Sequence, residues 1–465
     1  MADVSHWKDL TDGTVAGRKW ILASEVLAVF TEPVREFHEK GWPKPFVIAG
    51  STGTGDLPDP EHAEIAVLDL DPGPTDTPML TGIRAMDDAL RNLPPDVLDR
   101  IRAWDPDGAA VVLPSFLDTE FELAGRPTRG ARPAAWVRLE DKLTVDGLWD
   151  AAGIAREPSV VVPAERSSLA AAHREFDRGL GTAWACDTTE GWHGGGEYTR
   201  WVRTDADLAE AAAFMAEHGT RVRVMPFLEG VPCSIHGMVF PDAVVAFRPV
   251  ELITFRHTAS TRLRYGGTAT TWDPPPADRD AMRAAARRMG AFLRTEHGFR
   301  GAFTIDGVMT AAGFRPTELN PRFGGGLFAI VRGSDLPLLG IHRALIAGDD
   351  LDYRPEELEA VAIEAADANR ILRGMLPVER TMDETMKIPI TLADGTVERA
   401  DDEEHAHGTL SLGPASFGGI VQMQVEAEHT PTGVQAAPIV LDALQLAAET
   451  WDLAIPDLEV AKDVR

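Results

Sequence analysis

The chain has 465 residues, 44% of them hydrophobic and 25% charged, a composition that supports about three packed domains and argues against chain-wide disorder. Lys plus Arg total 45 against 73 Asp plus Glu, a formal net charge of −28. A surface that acidic repels phosphate backbones and anionic lipids, so nucleic acid and membrane surfaces are not expected partners. Cys186 and Cys233 are the two cysteines, too few and too far apart for a disulfide framework or a zinc site. The opening stretch MADVSHWKDL lacks the basic-then-apolar order of a signal peptide. The apolar stretch Ile21 to Phe30 is broken by Glu25 and too short to span a bilayer. A cytoplasmic location is expected.

Residues 1–133 read as an α/β unit. The runs PFVIAG (45–50), EIAVLDL (64–70) and AAVVLP (109–114) alternate with helical patterns, as in a parallel-sheet domain. The loop from Gly50 to Gly55 offers backbone N–H groups to an anion, but lacks the Gly-Lys-Ser/Thr ending of a P-loop. A simple turn is the alternative. From about 134 the texture changes. A helix is predicted over 140–152, ended by Gly153 and followed after Pro158 by a strand. A helix (167–178), a strand (181–186), a glycine-rich loop (191–196), a strand (197–203), a helix (205–217) and a strand (220–226) follow. Strands near 233–240 and 242–250 lead to a polar loop through 255–275. A long helix (278–296), a hairpin (301–320) and a helix (334–347) come next. Beyond about 375 the pattern is mostly β, closing with a helix at 437–450. Four segments result: 1–133, 134–230, 231–374 and 375–465.

The hairpin GAFTIDGVMTAAGFRPTELNPRFGGG (301–326) carries the chemistry. With Ala311-Ala312-Gly313 as a three-residue loop, Asp306 faces Glu318 with Cα atoms about 4.5–5.5 Å apart, and Asn320 projects from the same face. In that register Pro316 faces Val308, which a proline tolerates only at an edge, a bulge or a non-hydrogen-bonded pair. Two facing carboxylates repel each other. A hard divalent cation resolves the conflict, and two carboxylates with an amide oxygen suit Mg²⁺. A solvated hairpin whose acids happen to face each other is the plain alternative.

Asp306 followed by Glu318-Leu319-Asn320-Pro321-Arg322 and three glycines resembles the metal- and phosphate-binding signature of the ATP-grasp superfamily. The resemblance implies ATP and Mg²⁺ as cofactors, with Asp306, Glu318 and Asn320 as metal ligands and Asn320 and Arg322 on the phosphates. Arg322 would stabilise charge during transfer, and Gly324, Gly325 and Gly326 would let the backbone approach an acyl phosphate. Asp141-Lys142, placed at the start of the predicted helix, resembles the family's Asp-Lys helix. Lys142 would then contact nucleotide phosphate and act in catalysis. Met225-Pro226-Phe227-Leu228, before Gly230, is similar to the hinge that receives adenine. Gly194 and Gly195 would belong to the phosphate loop. The family's second phosphate-binding lysine is missing from 181–190, and Arg256, Arg262 and especially Arg264 are the candidate substitutes. His193, His236 and His257 are candidate proton carriers, and 187–197 and 255–275 candidate lids.

The implied fold class is α/β and α+β. It is an ATP-grasp fold with an N-terminal Rossmann-like (pre-ATP-grasp) domain and a small, mostly β C-terminal domain. ARPAAWVRLEDK (131–142) and GTLSLGPASFGGIVQMQVEAEHTPTGVQAAP (408–438) are similar to actinobacterial ATP-grasp peptide ligases of peptide-antibiotic biosynthesis, the pheganomycin peptide ligase type. That similarity implies an ADP-forming ligase that joins a carboxylate substrate, an amino acid of nonproteinogenic kind, to the N-terminal amine of a peptide, with a homodimer as one assembly. Two alternatives stay open: an ATP-grasp enzyme with another acceptor (a thiol, a small amine, or a carboxylase), and a non-catalytic nucleotide-binding module.

Overall fold

The computed structural model describes residues 3–70, 78–113, 119–186, 194–415 and 418–465. Strand Trp20–Val26 pairs in parallel with Phe46–Ser51 on one side and Val111–Leu113 on the other, and Glu64–Val67 completes a four-stranded parallel sheet. Its central strands are near-continuous apolar runs because both faces are covered. Trp20–Val26, read in the sequence only as an apolar stretch, is thus a central strand. The 50–55 loop packs against the C-terminal part of the chain. Thr54 Oγ1 donates to the Pro414 carbonyl at 2.8 Å, and Gly55 N–H donates to Thr385 Oγ1 at 3.2 Å.

A second, antiparallel sheet runs Val160–Pro163, Arg221–Pro226, Thr182–Cys186, Thr199–Val202. Helices Arg166–Phe176 and Asp205–His218 cover the face that presents Trp184, Cys186, Val222 and Val224. Thr204 and Asp207 form a reciprocal capping box that fixes where the second helix starts. The opposite face carries the small side chains Ala183 and Ala185 and looks into a cleft.

The third sheet has twelve strands, ten of them in one path: Gly313–Asn320, Gly301–Thr310, Val231–Val239, Val250–His257, Leu263–Ala269, Leu372–Val378, Gly418–Val425, Gly408–Ala415, Met386–Ala393, Thr396–Arg399. The division expected between 374 and 375 falls inside strand Leu372–Val378, which pairs with Gly418–Val425 along its whole length. The polar loop expected over 255–275 instead holds the end of one strand and the whole of another, with Val250–His257 and Leu263–Ala269 paired antiparallel around a bulge at Ile253/Thr254. Helix Pro276–His297 buries Met282, Met289 and Leu293 against this sheet and stops at Gly298 in the left-handed conformation. Both chain ends are stitched across it. Helix Ser5–Val15 lays Trp7 into the core beside Phe240 and Leu338, and Leu458–Val460 pairs with Val250–His257.

Two predicted helices differ from those observed. The segment expected as one helix over 140–152 is a 3₁₀ turn Arg138–Glu140, a bend through Lys142, and helix Val145–Ala151. The helix expected at 334–347 is Leu338–Ala347, preceded by a separate helix Gly325–Ser334.

Candidate active site

The hairpin is closed by a two-residue loop, Ala311-Ala312, with Thr310 opposite Gly313 and Gly307 opposite Pro316. Between Asp306 and Gly307 the register shifts: Thr317 is an extra residue, a bulge, and beyond it Asp306 faces Glu318 and Thr304 faces Asn320. The loop is one residue shorter than expected and the bulge restores that residue. The proline therefore sits beside the bulge, opposite Gly307 rather than Val308, where its missing N–H is tolerated.

Around this pair the polar side chains form a connected set. Ser234, opposite Asp306 on the neighbouring strand, donates its hydroxyl to Asp306 Oδ1. Asn320 Nδ2 donates to Asp306 Oδ2 at 2.8 Å, and Arg322 Nη2 donates to Asn320 Oδ1 at 3.0 Å. Lys142 Nζ stands 3.3 Å from Glu318 Oε2 and is itself buried. Glu140, fully enclosed, pairs with Arg132 and lies 3.2 Å from Arg322 Nε. Burial, and then the charge of Glu318, push the Asp306 carboxyl up to about 6, while Ser234, Arg322 and Lys142 pull it back. The two carboxylates are therefore in electrostatic conflict that the surrounding cations only partly relieve.

The hairpin forms one wall of a cleft of about 1320 Å³. A second wall is the segment at the end of Arg221–Pro226. Met225, Pro226, Phe227 and Leu228 all line the cleft. Phe227 stacks on Trp201 with ring centres 4.2 Å apart, and the Arg256 guanidinium, held by Glu229, lies 4.9 Å from the Phe227 ring centre. Gly194 and Gly195 reach the same cleft; His193 and the rest of 187–193 lie outside the described residues. Arg264 does not line the cleft. It sits on the opposite pleat from Leu263 and Tyr265, which do. A cation does stand where the missing lysine was expected. Arg223 is paired across the sheet with Ala185, lines the cleft, and is held by Asp146 at 2.6 Å and the Thr317 carbonyl at 3.2 Å.

The third wall is the start of helix Gly325–Ser334. A Cβ on Gly324 would lie 2.2 Å from Thr304 Oγ1, and one on Gly326 would lie 2.1 Å from His236 Nε2. No side chain fits at either position, so the helix N-terminus faces the cleft as bare backbone, a favourable anion site. Burial drives His236 down to about 3. It is neutral, its Nδ1 hydrogen-bonded with Thr304 Oγ1 at 2.8 Å, and it serves as packing beneath the glycines. His257 lies on the strand that ends the Val250–His257 run and does not line the cleft.

No family model matches the sequence, and no curated protein matches it. Solved structures do. Biotin carboxylase from Campylobacter jejuni, in a β,γ-ATP complex, superposes with a TM-score of 0.53 at 13% identity over 95% of this chain and 92% of that one. This chain has the ATP-grasp fold. Carboxyaminoimidazole ribonucleotide synthase from Aspergillus clavatus, complexed with ATP, gives 0.51 at 12% identity over 93% and 98% of the two chains. The biotin carboxylase domain of Hydrogenobacter thermophilus 2-oxoglutarate carboxylase, with MgADP and bicarbonate, gives 0.50 at 12% over 94% and 91%. At such identities the likeness lies in the path of the chain.

Sequence reasoning missed Ser234, Glu140, Arg132 and Arg223. Arg223 had a usable signal: it alternates with Val222 and Val224, so it lies on the opposite pleat from the core-facing side chains. The chain Arg132–Glu140–Arg322 had none, because its members meet across nearly two hundred residues.

Proposed function

We propose that the chain is an ATP-dependent carboxylate–amine ligase working through an acyl phosphate. The observation that carries this reading is the set Asp306, Glu318, Asn320, Arg322 and Lys142, joined by direct contacts in a cleft also lined by an apolar hinge and a glycine-capped helix N-terminus. The residues fit a divalent cation. Two carboxylates in mutual conflict with one amide oxygen form a donor set of hard oxygens, short enough to leave positions for phosphate and water. Asp306, Glu318 and Asn320 would hold Mg²⁺, which when bound offsets charge on the phosphates of ATP.

The hinge 225–228 would receive adenine, with the Phe227–Trp201 stack beside it. Lys142, Arg322 and Arg223 would meet the phosphates, Arg223 replacing the absent lysine from the adjacent strand. A donor carboxylate oxygen attacks the γ-phosphorus, the bond to the bridging oxygen breaks, and ADP leaves. The acceptor amine then attacks the acyl carbon, the C–O bond to phosphate breaks, and the amine proton passes to phosphate or solvent. Arg322 and the backbone of Gly324 to Gly326 would hold the acyl phosphate. Most of the rate then comes from positioning and charge neutralisation, with little acid–base work asked of side chains. Following the sequence resemblance, the donor is a nonproteinogenic amino acid and the acceptor a peptide N-terminus, in a peptide-antibiotic pathway of the pheganomycin type, in the cytoplasm. Among the described residues no helix is long and apolar enough to cross a membrane.

Hydroxylamine tests the intermediate. With Mg·ATP and a mixture of amino acids that includes aryl nonproteinogenic ones, it should intercept the acyl phosphate as a hydroxamate, identified by mass, with one ADP per hydroxamate. ADP release that needs bicarbonate and no amine would replace this reading by a carboxylase. ATP binding without release under every condition would leave the non-catalytic module.

A further inference from the structure

The end of the cleft away from the hairpin is built differently, and the reading above uses only its near edge at Gly325. Gly325, Phe328, Ala329 and Arg332 all line the cleft. Their spacing is one face of helix Gly325–Ser334, so Arg332 stands two turns beyond the bare N-terminus. Below it runs the large sheet. Arg373 and Met375 on one strand lie opposite Gln424 and Gln422 on the next, and all four side chains belong to the cleft lining. Arg373 Nη2 donates to Gln424 Oε1. The helix face and the sheet face thus bring two guanidinium groups toward one place.

The chain carries 28 more acidic than basic side chains, and several of its buried arginines are tied to carboxylates: Arg126 to Asp105, Arg132 to Glu140, Arg223 to Asp146, Arg248 to Asp273, Arg256 to Glu229. Arg332, exposed at the cleft, and half-buried Arg373 have no carboxylate partner among the described residues. Burial lowers both, and the charge of Arg332 further lowers Arg373, to about 10. A cation in the last turn of a helix is favoured by the helix dipole, which accounts for Arg332 alone but not for Arg373 meeting it from the sheet. Holding two like charges together without a counter-ion costs stability, and a bound carboxylate, taken by two planar forks, removes that cost.

We propose that Arg332 and Arg373 form a carboxylate-binding subsite for the amine-bearing substrate, so that the acceptor is itself an acid with a free C-terminus. This rests on the ligase reading. In that reading the donor's own carboxylate is consumed at Arg322 and the helix N-terminus, leaving the distal pair for the other substrate. From Gly325 to Arg332 the helix rises about 10 Å, and the arginine side chain leans back toward the N-terminus, shortening the gap. At about 3.4 Å per extended residue, the space between the acyl carbon and the arginines holds an amino acid or a peptide of at most roughly three residues. Gln422 and Gln424 offer amides to its backbone, and Tyr265, kept protonated by burial with a phenol pushed up to about 12, borders the path beside Gly325.

The test compares matched acceptors, amino acids and di- and tripeptides as free acids and as C-terminal carboxamides, in wild type, Arg332→Gln and Arg373→Gln. Wild type should favour the acid over the amide by roughly 10- to 100-fold in kcat/KM, carried mainly by KM. In either variant the ratio should fall to within about threefold. Acid and amide are compared in the same enzyme, so a general loss of activity cancels. Equal use of acid and amide by a wild-type enzyme that forms hydroxamates would overturn the subsite and leave the ligase standing. No ADP release with any donor, with or without hydroxylamine, would remove the ligase reading and this subsite with it. Preference retained in both variants would also overturn it.

Discussion

The hairpin Gly301–Asn320 and the strand pair Val250–His257/Leu263–Ala269 belong to one sheet and contribute to one cleft, yet they differ in how their geometry is written in the chain. In the hairpin, partners are close in sequence and a short turn sets the register. In the strand pair, a bulge at Ile253/Thr254 and the arginines at 256, 262 and 264 disguise strands as a polar loop. The two ends of the cleft differ in content as well. The hairpin end gathers carboxylates whose conflict calls for a cation, while the distal end gathers guanidinium groups that call for an anion. One cleft with opposite needs at its two ends suits a reaction that joins a phosphorylated acid to a second, anionic partner.

The sharpest way to break this contrast is at the hairpin. Glu318→Gln or Asn320→Ala should lower ADP formation by at least about 1,000-fold, with circular dichroism unchanged. Near-wild-type turnover in either variant would return Asp306 and Glu318 to the status of a solvated pair. Next in size is Gly326→Ala. The added methyl meets His236 Nε2 and Val250 at 2.1 and 2.5 Å in a packed interior, so a loss of about 1–3 kcal/mol in denaturant stability is expected, together with weaker phosphate binding at the helix N-terminus. An unchanged unfolding midpoint would mean the helix start has room to move. Arg223→Lys should raise the KM for ATP by roughly tenfold, with a smaller change in kcat. If only the unfolding midpoint moved, Arg223 would be a strut for Asp146 and the bulge.

The smallest effect concerns the wall beyond the strand pair. Glu251 is buried, accepts the Ala436 and Ala437 N–H groups at the start of helix Ala437–Trp451, and is pushed up to about 7 by burial. Its folded pKa lies above the ordinary 4.5, so the folded state holds the proton more tightly. The stabilising contribution is complete below about pH 4.5 and is lost as pH rises through about 7. Asp306, also raised, acts in the same direction. Between pH 5 and 8 the urea midpoint should therefore fall, and Glu251→Gln should flatten the fall by an amount on the order of 1–2 kcal/mol. A variant as pH-sensitive as wild type would place the titration elsewhere.

What was legible in the sequence follows the same division between local and distant partners. The facing of Asp306 and Glu318 could be read from the hairpin alone, although two departures, a shorter loop and the Thr317 bulge, had to cancel. The alternation of Ala183 and Ala185 with Trp184 and Cys186, and of Arg223 with its valines, contains the inner face of the second sheet. The helix Gly325–Ser334 was hidden because it starts on glycines, which ordinarily mark loops; their presence reflects the close approach of Thr304 and His236, set by strands twenty and ninety residues away. Lys142 stands out in the sequence through the Asp-Lys pattern. Its place in a bend rather than on a helix follows from Asp141, whose carboxylate accepts the Leu143 N–H at 2.8 Å and so competes with helical hydrogen bonding. The strand Leu372–Val378, which carries the sheet across the expected boundary, depends on pairing with a segment fifty residues later.

The nucleotide product is the most direct measurement. Purified protein is incubated with Mg·ATP, an amino-acid mixture that includes unusual aryl amino acids, and a pool of short peptides, with each pool also omitted in turn. ADP and phosphate in equal amounts, appearing only when donor and acceptor are both present, with a new amide in the same tube by mass spectrometry, is the predicted result. AMP with pyrophosphate would mean adenylate chemistry and would contradict the acyl-phosphate account.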